Sequence, residues 1–142
     1  MSGRDWRTFG RIHTKLYKAL GGRFVSNLGL GRKVLLLTTT GRKSGLERTT
    51  PLVYMPVGDA QVIYASNVGK ETPPAWWFNL KADPNAKIQI GRKTTAVRAR
   101  EVTEEEYARI WPDAEEYNPH WRDYKKNVKR HIPLVILERV DV

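Results

Sequence analysis

The stretch from Val34 to Ser66 constrains the fold more than any other. Three runs rich in β-branched and apolar residues, Val34–Thr40, Arg48–Val57 and Gln61–Ser66, are separated only by Gly41-Arg42-Lys43-Ser44-Gly45 and by Gly58-Asp59. Such short connections leave no room for a parallel crossover, so consecutive antiparallel hairpins are expected. A glycine at each end of the first turn relieves the φ/ψ limits of a tight reversal. Pro51, inside the second run, demands a sheet edge or a bulge because it lacks a backbone donor.

The rest of the chain alternates helix and strand signals. Residues 6–20 read as an amphipathic helix, with Trp6, Phe9, His13, Leu16 and Leu20 on one face and Arg4, Arg7, Arg11, Lys15 and Lys18 on the other; Gly21-Gly22 ends it. Residues 23–33 read as a Gly-rich loop. Asn67–Thr72 reads as a loop whose Thr72 caps a helix over 73–82, with Pro73 at its first position. Asp83-Pro84-Asn85 stops that helix. Lys87–Ile90 and Thr94–Val102 read as strands around Gly91-Arg92. Thr103-Glu104-Glu105-Glu106 is a capping box opening a helix that Pro112 breaks or ends. Asn118-Pro119 starts another helix, and Pro133–Val140 is a closing strand. Six short strands and three to four helices, mostly hairpin-linked, give an α+β protein with a small antiparallel sheet.

Composition excludes several chemistries. There is no cysteine, so thiolate metal sites and thiol nucleophiles are absent. His13, His120 and His131 lack metal-ligand spacing, and no metal is expected. No apolar run reaches the roughly 20 residues of a membrane span, and the first residues lack a signal-peptide core, so a cytoplasmic location is expected. Net charge is +10, concentrated in residues 1–50, which hold 11 Lys or Arg against Asp5 and Glu47. That asymmetry favours an anionic partner: nucleic acid, a lipid surface or an acidic small molecule. The helix over residues 4–20 reads as a packing helix with a solvated basic face, or as a weak peripheral contact with anionic lipid at the inner face of the membrane.

Four groups could carry chemistry. The Gly41–Gly45 turn sets Arg42, Lys43 and Ser44 between glycines, with Arg48 close behind; this suits a phosphate or carboxylate, and equally a polar hairpin turn. It is neither a P-loop nor a Rossmann fingerprint. Trp76 and Trp77 point ~100° apart on a helix, so one can enter the core while the other walls a cleft, or both can pack. Ser66 and Asn67 end a strand, where they can donate to a ligand or cap a turn. Tyr117, Asn118, Trp121 and Tyr124 gather near the last helix; Asn118 is explained locally as an N-cap, while Trp121 and Tyr124 could roof a pocket or seal the helix to the sheet. The three glutamates at 104–106 read as structural. No nucleophile elbow or paired-carboxylate arrangement occurs, so a cofactor would have to supply any redox chemistry.

Several ordered blocks resemble the deazaflavin-dependent nitroreductase family. They are Leu36-Leu37-Thr38-Thr39-Thr40-Gly41-Arg42-Lys43-Ser44-Gly45, Arg48-Thr49-Thr50-Pro51-Leu52, Ala65-Ser66, Pro74-Ala75-Trp76-Trp77-Phe78-Asn79-Leu80-Lys81-Ala82-Asp83-Pro84, Ala99-Arg100 and Ile132-Pro133-Leu134-Val135. The resemblance covers about residues 30–140. It implies a six-stranded antiparallel split β-barrel (residues 23–142, after the helix of 1–22) and a reductase that moves a hydride from reduced coenzyme F420 to an organic acceptor. By position, Arg42, Lys43, Ser44 and Arg48 would hold the cofactor's phosphate and acidic tail. Thr49, Thr50, Pro51, Leu52 and Val53 would line the deazaflavin. Tyr64, Ala65, Ser66 and Asn67 would border the ring, and Ala75, Trp76, Trp77, Phe78 and Asn79 would form the opposite wall.

Around the acceptor, the resemblance implies catalytic roles for Ser66 and Tyr124. Nitroimidazole-activating members place tyrosines where this chain has Val53, Asn118 and Trp121, so the implied acceptor is a quinone, an enone or a nitro compound, with a quinone or other conjugated carbonyl expected to be reduced better than a bicyclic nitroimidazole. An FMN-binding split-barrel oxidoreductase is the nearer alternative. A basic nucleic-acid-binding domain is the more distant one, since no recognition helix or aromatic-basic strand pair occurs.

Overall fold

The computed structural model describes residues 33–140. The expected helix of residues 6–20 and all of the 23–33 loop except Lys33 lie outside the described residues. Within them the order is β1 (Lys33–Thr40), β2 (Glu47–Val57), β3 (Ala60–Tyr64), a one-turn 3-10 segment (Asn67–Gly69), α1 (Ala75–Ala82), β4 (Asn85–Ile90), β5 (Lys93–Glu101), α2 (Glu104–Tyr117), α3 (Pro119–Asn127) and β6 (Leu134–Arg139). The strands close into an antiparallel barrel in the order β1-β2-β3-β6-β5-β4. The three hairpins expected from the short turns all form, β1/β2, β2/β3 and β4/β5.

Period-2 alternation divides the strands between two apolar cores. Ile63 and Ala65, and Val135 and Leu137, point into the barrel with Leu35, Leu37, Ile88 and Val97. Trp76 and Leu80 of α1 belong to this interior cluster. The alternate residues Val62 and Tyr64, and Leu134 and Ile136, pack outward beneath α2 and α3 against Ala114 and Trp121. Tyr64 is tilted against Trp111 and Trp121 at 5.2 and 5.7 Å between ring centroids.

The barrel is split where β2 parts from β3. β2 pairs with β1 along Glu47–Tyr54, but with β3 only at Met55–Val57. Residues 47–54 therefore leave one backbone edge without a strand among the described residues. Pro51 falls in this stretch, where a missing donor costs the sheet nothing on the open side.

Three sequence expectations need correction. Pro112 does not end its helix: α2 runs through it to Tyr117. Pro112 and Ala108 are both exposed, so water can satisfy the Ala108 carbonyl that loses its donor, while Tyr107, Ile110, Trp111 and Ala114 hold the other face. α1 does not begin at Pro73 under a Thr72 cap. It starts at Ala75 behind Pro74, whose extended conformation (φ −72°, ψ 154°) ends the loop without a side-chain cap. A residue preceding proline is disfavoured in the helical region, which keeps Pro73 out of the helix. β3 stops at Tyr64 rather than Ser66, because Ser66 turns to φ −78°, ψ −26° to enter the 3-10 segment. The other helix signals form as expected: Thr103 and Glu106 make a reciprocal capping box, and the Asn118 side chain accepts from the His120 N–H.

Candidate active site

The open stretch of β2 forms one wall of a cavity of about 720 Å³. Thr50, Pro51, Leu52 and Val53 line it from the strand, and Pro74, Ala75 and Trp76 line it from the start of α1. Ser66, Asn67 and Val68 enter from the loop after β3, while Asn118, His120, Trp121 and Tyr124 close it from α3. Val34, Ile63 and Tyr64 complete the lining. A mostly apolar concavity with a few polar groups is the usual form of a small-molecule site.

Its polar groups divide into engaged and free. Asn118 is buried and its Oδ1 is committed to the α3 cap at 3.2 Å. The Ser66 and Tyr124 hydroxyls make no hydrogen bond among the described residues, and Ser66 is buried. Both remain available to a ligand. Burial pushes the Tyr64 hydroxyl well above the usual phenol range, with neighbouring Tyr107 adding to the effect, so it stays neutral. His120 stacks on Tyr124 with ring centroids 6.3 Å apart.

The basic turn lies beyond the cavity and is tied to it through α1. The buried Asn79 accepts from the Arg42 backbone N–H at 3.1 Å and donates to Thr39 Oγ1 at 3.1 Å. The Arg42 guanidinium lies 4.8 Å over the Phe78 ring. α1 thus places Trp76 in the cavity and Phe78 and Asn79 at the turn. Glycine is required at Gly41, where a Cβ would come within 2.8 Å of Ser44 Oγ and 3.1 Å of the Leu46 carbonyl, and Gly45 has φ +73°. Ser44 Oγ accepts from the Leu46 N–H, so it braces the turn. Arg42, Lys43 and Arg48 are exposed and form no ion pair among the described residues.

Of the residues proposed from sequence, Thr50–Val53, Tyr64, Ser66, Asn67, Ala75, Trp76, Asn118, Trp121 and Tyr124 meet at the cavity. Arg42, Lys43, Ser44, Arg48 and Thr49 sit outside it toward the turn, with Thr49 Oγ1 3.1 Å from Thr38 Oγ1. Ala65 points into the barrel core and Trp77 packs against that core under Lys81. Sequence reasoning missed Val34, Ile63, Val68, Pro74 and His120. His120 had a usable signal, its i,i+4 spacing to Tyr124 behind the Asn118 cap; Val68 had none.

Comparison with known proteins decides the family. A family model described as F420H(2)-dependent quinone reductase matches residues 8–139. The chain belongs to this family. It is therefore an oxidoreductase whose cofactor is coenzyme F420. An F420H(2)-dependent quinone reductase of Mycobacterium tuberculosis is 38% identical over 132 residues, covering 91% of this chain and 89% of the relative. A solved F420-H2 dependent reductase superposes with TM-score 0.69 at 36% identity, covering 75% of this chain and 94% of that one. A FAD-binding protein from Mesorhizobium loti, 12% identical with TM-score 0.57 over 82% of this chain and 87% of its own, shares the fold alone.

Proposed function

We propose that this quinone reductase seats its deazaflavin ring against the open edge of β2 and its acidic tail on the Gly41–Gly45 turn, with the acceptor under α3. One observation carries the reading: a cavity bordered by a sheet edge that no strand among the described residues covers is joined by a single short helix to a turn whose cations have no acidic partner among the described residues. The open edge at Thr50–Val53 offers backbone groups to the edge of a planar heterocycle. Trp76 and the start of α1 form the facing wall, and Tyr64, Ser66 and Asn67 border the ring; Ala65, turned into the barrel core, does not. Arg42, Lys43 and Arg48 supply the charge that a phosphate and an acidic tail need.

When bound, reduced coenzyme F420 supplies a hydride from a ring carbon. The chain's own residues align the two partners and exclude water. Ser66 Oγ and Tyr124 Oη are free to donate to a quinone oxygen as negative charge develops there. Tyr124 or solvent then delivers the proton. Val53 and Trp121 give the acceptor apolar walls without a hydroxyl acceptor, which suits a quinone better than a bicyclic nitroimidazole; the Trp121 indole N–H donates but cannot accept.

The test is steady-state oxidation of reduced coenzyme F420 by menadione and by a nitroimidazole, with Ser66→Ala and Trp121→Tyr. Loss of a positioned donor should cut menadione turnover in S66A by roughly 10²–10³, and W121Y should raise nitroimidazole turnover. Full activity of S66A, or faster reduction of the nitroimidazole than of menadione by the parent, would refute this assignment. The sequence of residues 4–20, whose spacing of basic and apolar residues would give opposed faces on a helix, favours weak peripheral contact with anionic lipid, which would bring the cavity near lipid-soluble quinones. Equal sedimentation with acidic liposomes of forms with and without residues 1–22 would remove that element.

A further inference from the structure

The loop that brings Ser66 into the cavity is held in an unfavourable shape. Asn67 (φ +48°) and Val68 (φ +50°, ψ +36°) are both left-handed, and they are the only non-glycine residues with positive φ among those described. The Gly69 N–H closes the turn by donating to the Ser66 carbonyl at 2.9 Å, and the Lys70 N–H donates to the Asn67 carbonyl at 3.1 Å. This resembles a type I′ turn, whose two central positions are usually filled by Asn-Gly. Here a β-branched valine stands where glycine is favoured, and such a residue is rarely left-handed. Val68 is 67% exposed at the cavity rim, so its own burial does not hold it there. A shape that the local sequence disfavours persists only when its surroundings impose it.

Those surroundings converge on one side chain. The Arg130 guanidinium shares the two hydrogens of Nη2 among the carbonyls of Ala65 (3.1 Å), Ser66 (3.0 Å) and, at the longest distance, Thr72 (3.4 Å), and donates through Nε to the Lys70 carbonyl (3.1 Å). It thereby grips the loop at both ends and at the carbonyl that closes the turn. Nη1 is buried without a partner, and no carboxylate pairs with the guanidinium among the described residues. The planar fork fixes Nη2 and Nε against different carbonyls at once, an arrangement that a lysine ammonium, a point charge on a flexible stem, does not reproduce. Other contacts join in: Asn67 Nδ2 donates to the Thr72 carbonyl at 3.0 Å, and Gly69 lies so close to Tyr124 that a Cβ would come within 3.0 Å of that ring.

We infer that Arg130 is a positioning residue for the quinone reductase reaction, holding the Ser66–Lys70 turn left-handed so that Ser66, Asn67 and Val68 face the cavity beside Tyr124. It touches no reacting group and acts through the loop. The catalytic consequence rests on the cavity being the acceptor site, whereas the clamp itself does not.

The experiment compares the parent chain with Arg130→Lys, Val68→Gly and the R130K/V68G double variant, each below its melting transition. It reads amide hydrogen exchange at Gly69 and Lys70, and kcat/KM for menadione with reduced coenzyme F420. R130K keeps the charge and should retain the fold; it should exchange at Gly69 and Lys70 at least tenfold faster, with strand amides unchanged, and lose tenfold or more in kcat/KM. Glycine takes positive φ without help, so R130K/V68G should recover much of both losses. Unchanged exchange in R130K, or failure of R130K/V68G to recover the exchange loss, would overturn the clamp. Faster exchange with full menadione turnover would uphold the clamp and overturn the acceptor site proposed for this cavity.

Discussion

Replacing Asn79 with alanine tests how the basic turn is held against the cavity. Asn79 is 5% exposed and bridges three elements: it lies on α1, accepts from Arg42 N–H in the turn and donates to Thr39 Oγ1 at the end of β1. Each neutral hydrogen bond contributes about 0.5–1.5 kcal/mol net. Thr39 is 2% exposed, so stranding its hydroxyl adds about 1–3 kcal/mol, whereas the Arg42 amide can turn to water. The sum for N79A is about 2–6 kcal/mol of lost stability. With a urea m-value of about 2 kcal/mol/M, the denaturation midpoint should fall by roughly 1–3 M with little change in m. A turn no longer fixed to α1 should also bind the cofactor's acidic tail less well, by about tenfold in Kd, or 1.4 kcal/mol. Urea melts and a fluorescence titration with coenzyme F420 measure the two effects. A stability loss below about 0.5 kcal/mol together with an unchanged Kd would refute the bridging role.

Lys43→Ala should weaken coenzyme F420 binding by about 1–3 kcal/mol, and more at low salt than at high salt because an exposed charge is screened; normal affinity at low salt would make the turn a simple hairpin. Pro112→Ala should stabilise the fold by about 1–2 kcal/mol, since it restores a donor to the Ala108 carbonyl at the expense of some chain stiffness in the unfolded state; thermal melts will show the sign. Glu106 is held down to about 2 by its hydrogen bonds from Arg100, then by the Thr103 N–H. A carboxylate depressed in the fold contributes stability above its unfolded pKa of about 4.3, and loses it as pH falls toward 2. Glu106→Gln should flatten the stability profile in that window, by less in high salt because its partner Arg100 is exposed; an unchanged acid slope would count against the ion pair.

The hairpins were legible because two short glycine-bearing turns leave β1, β2 and β3 no other way to pair. The helix caps at Thr103 and Asn118 were legible because they depend on residues two or three apart. Pro112 misled because its cost depends on whether the Ala108 carbonyl reaches water, a tertiary fact. Pro73 misled because the rule for a residue preceding proline outweighed the cap offered by Thr72. Within the site, the turn and α1 could be named from motif blocks, but not that Asn79 joins them, since its partners Thr39 and Arg42 are some 40 residues away in sequence. Arg130 left no local signal: its acceptors are backbone carbonyls, which carry no side-chain pattern.

Hydrogen exchange with and without bound coenzyme F420 tests the central placement most directly. Protection is expected along residues 42–53 and 74–79, the basic turn, the open edge of β2 and the start of α1, with β5 and α2 unchanged. Protection confined instead to the recess formed by Glu101, Tyr107, Lys125 and His131, or absent from the turn and β2, would contradict the placement of the cofactor.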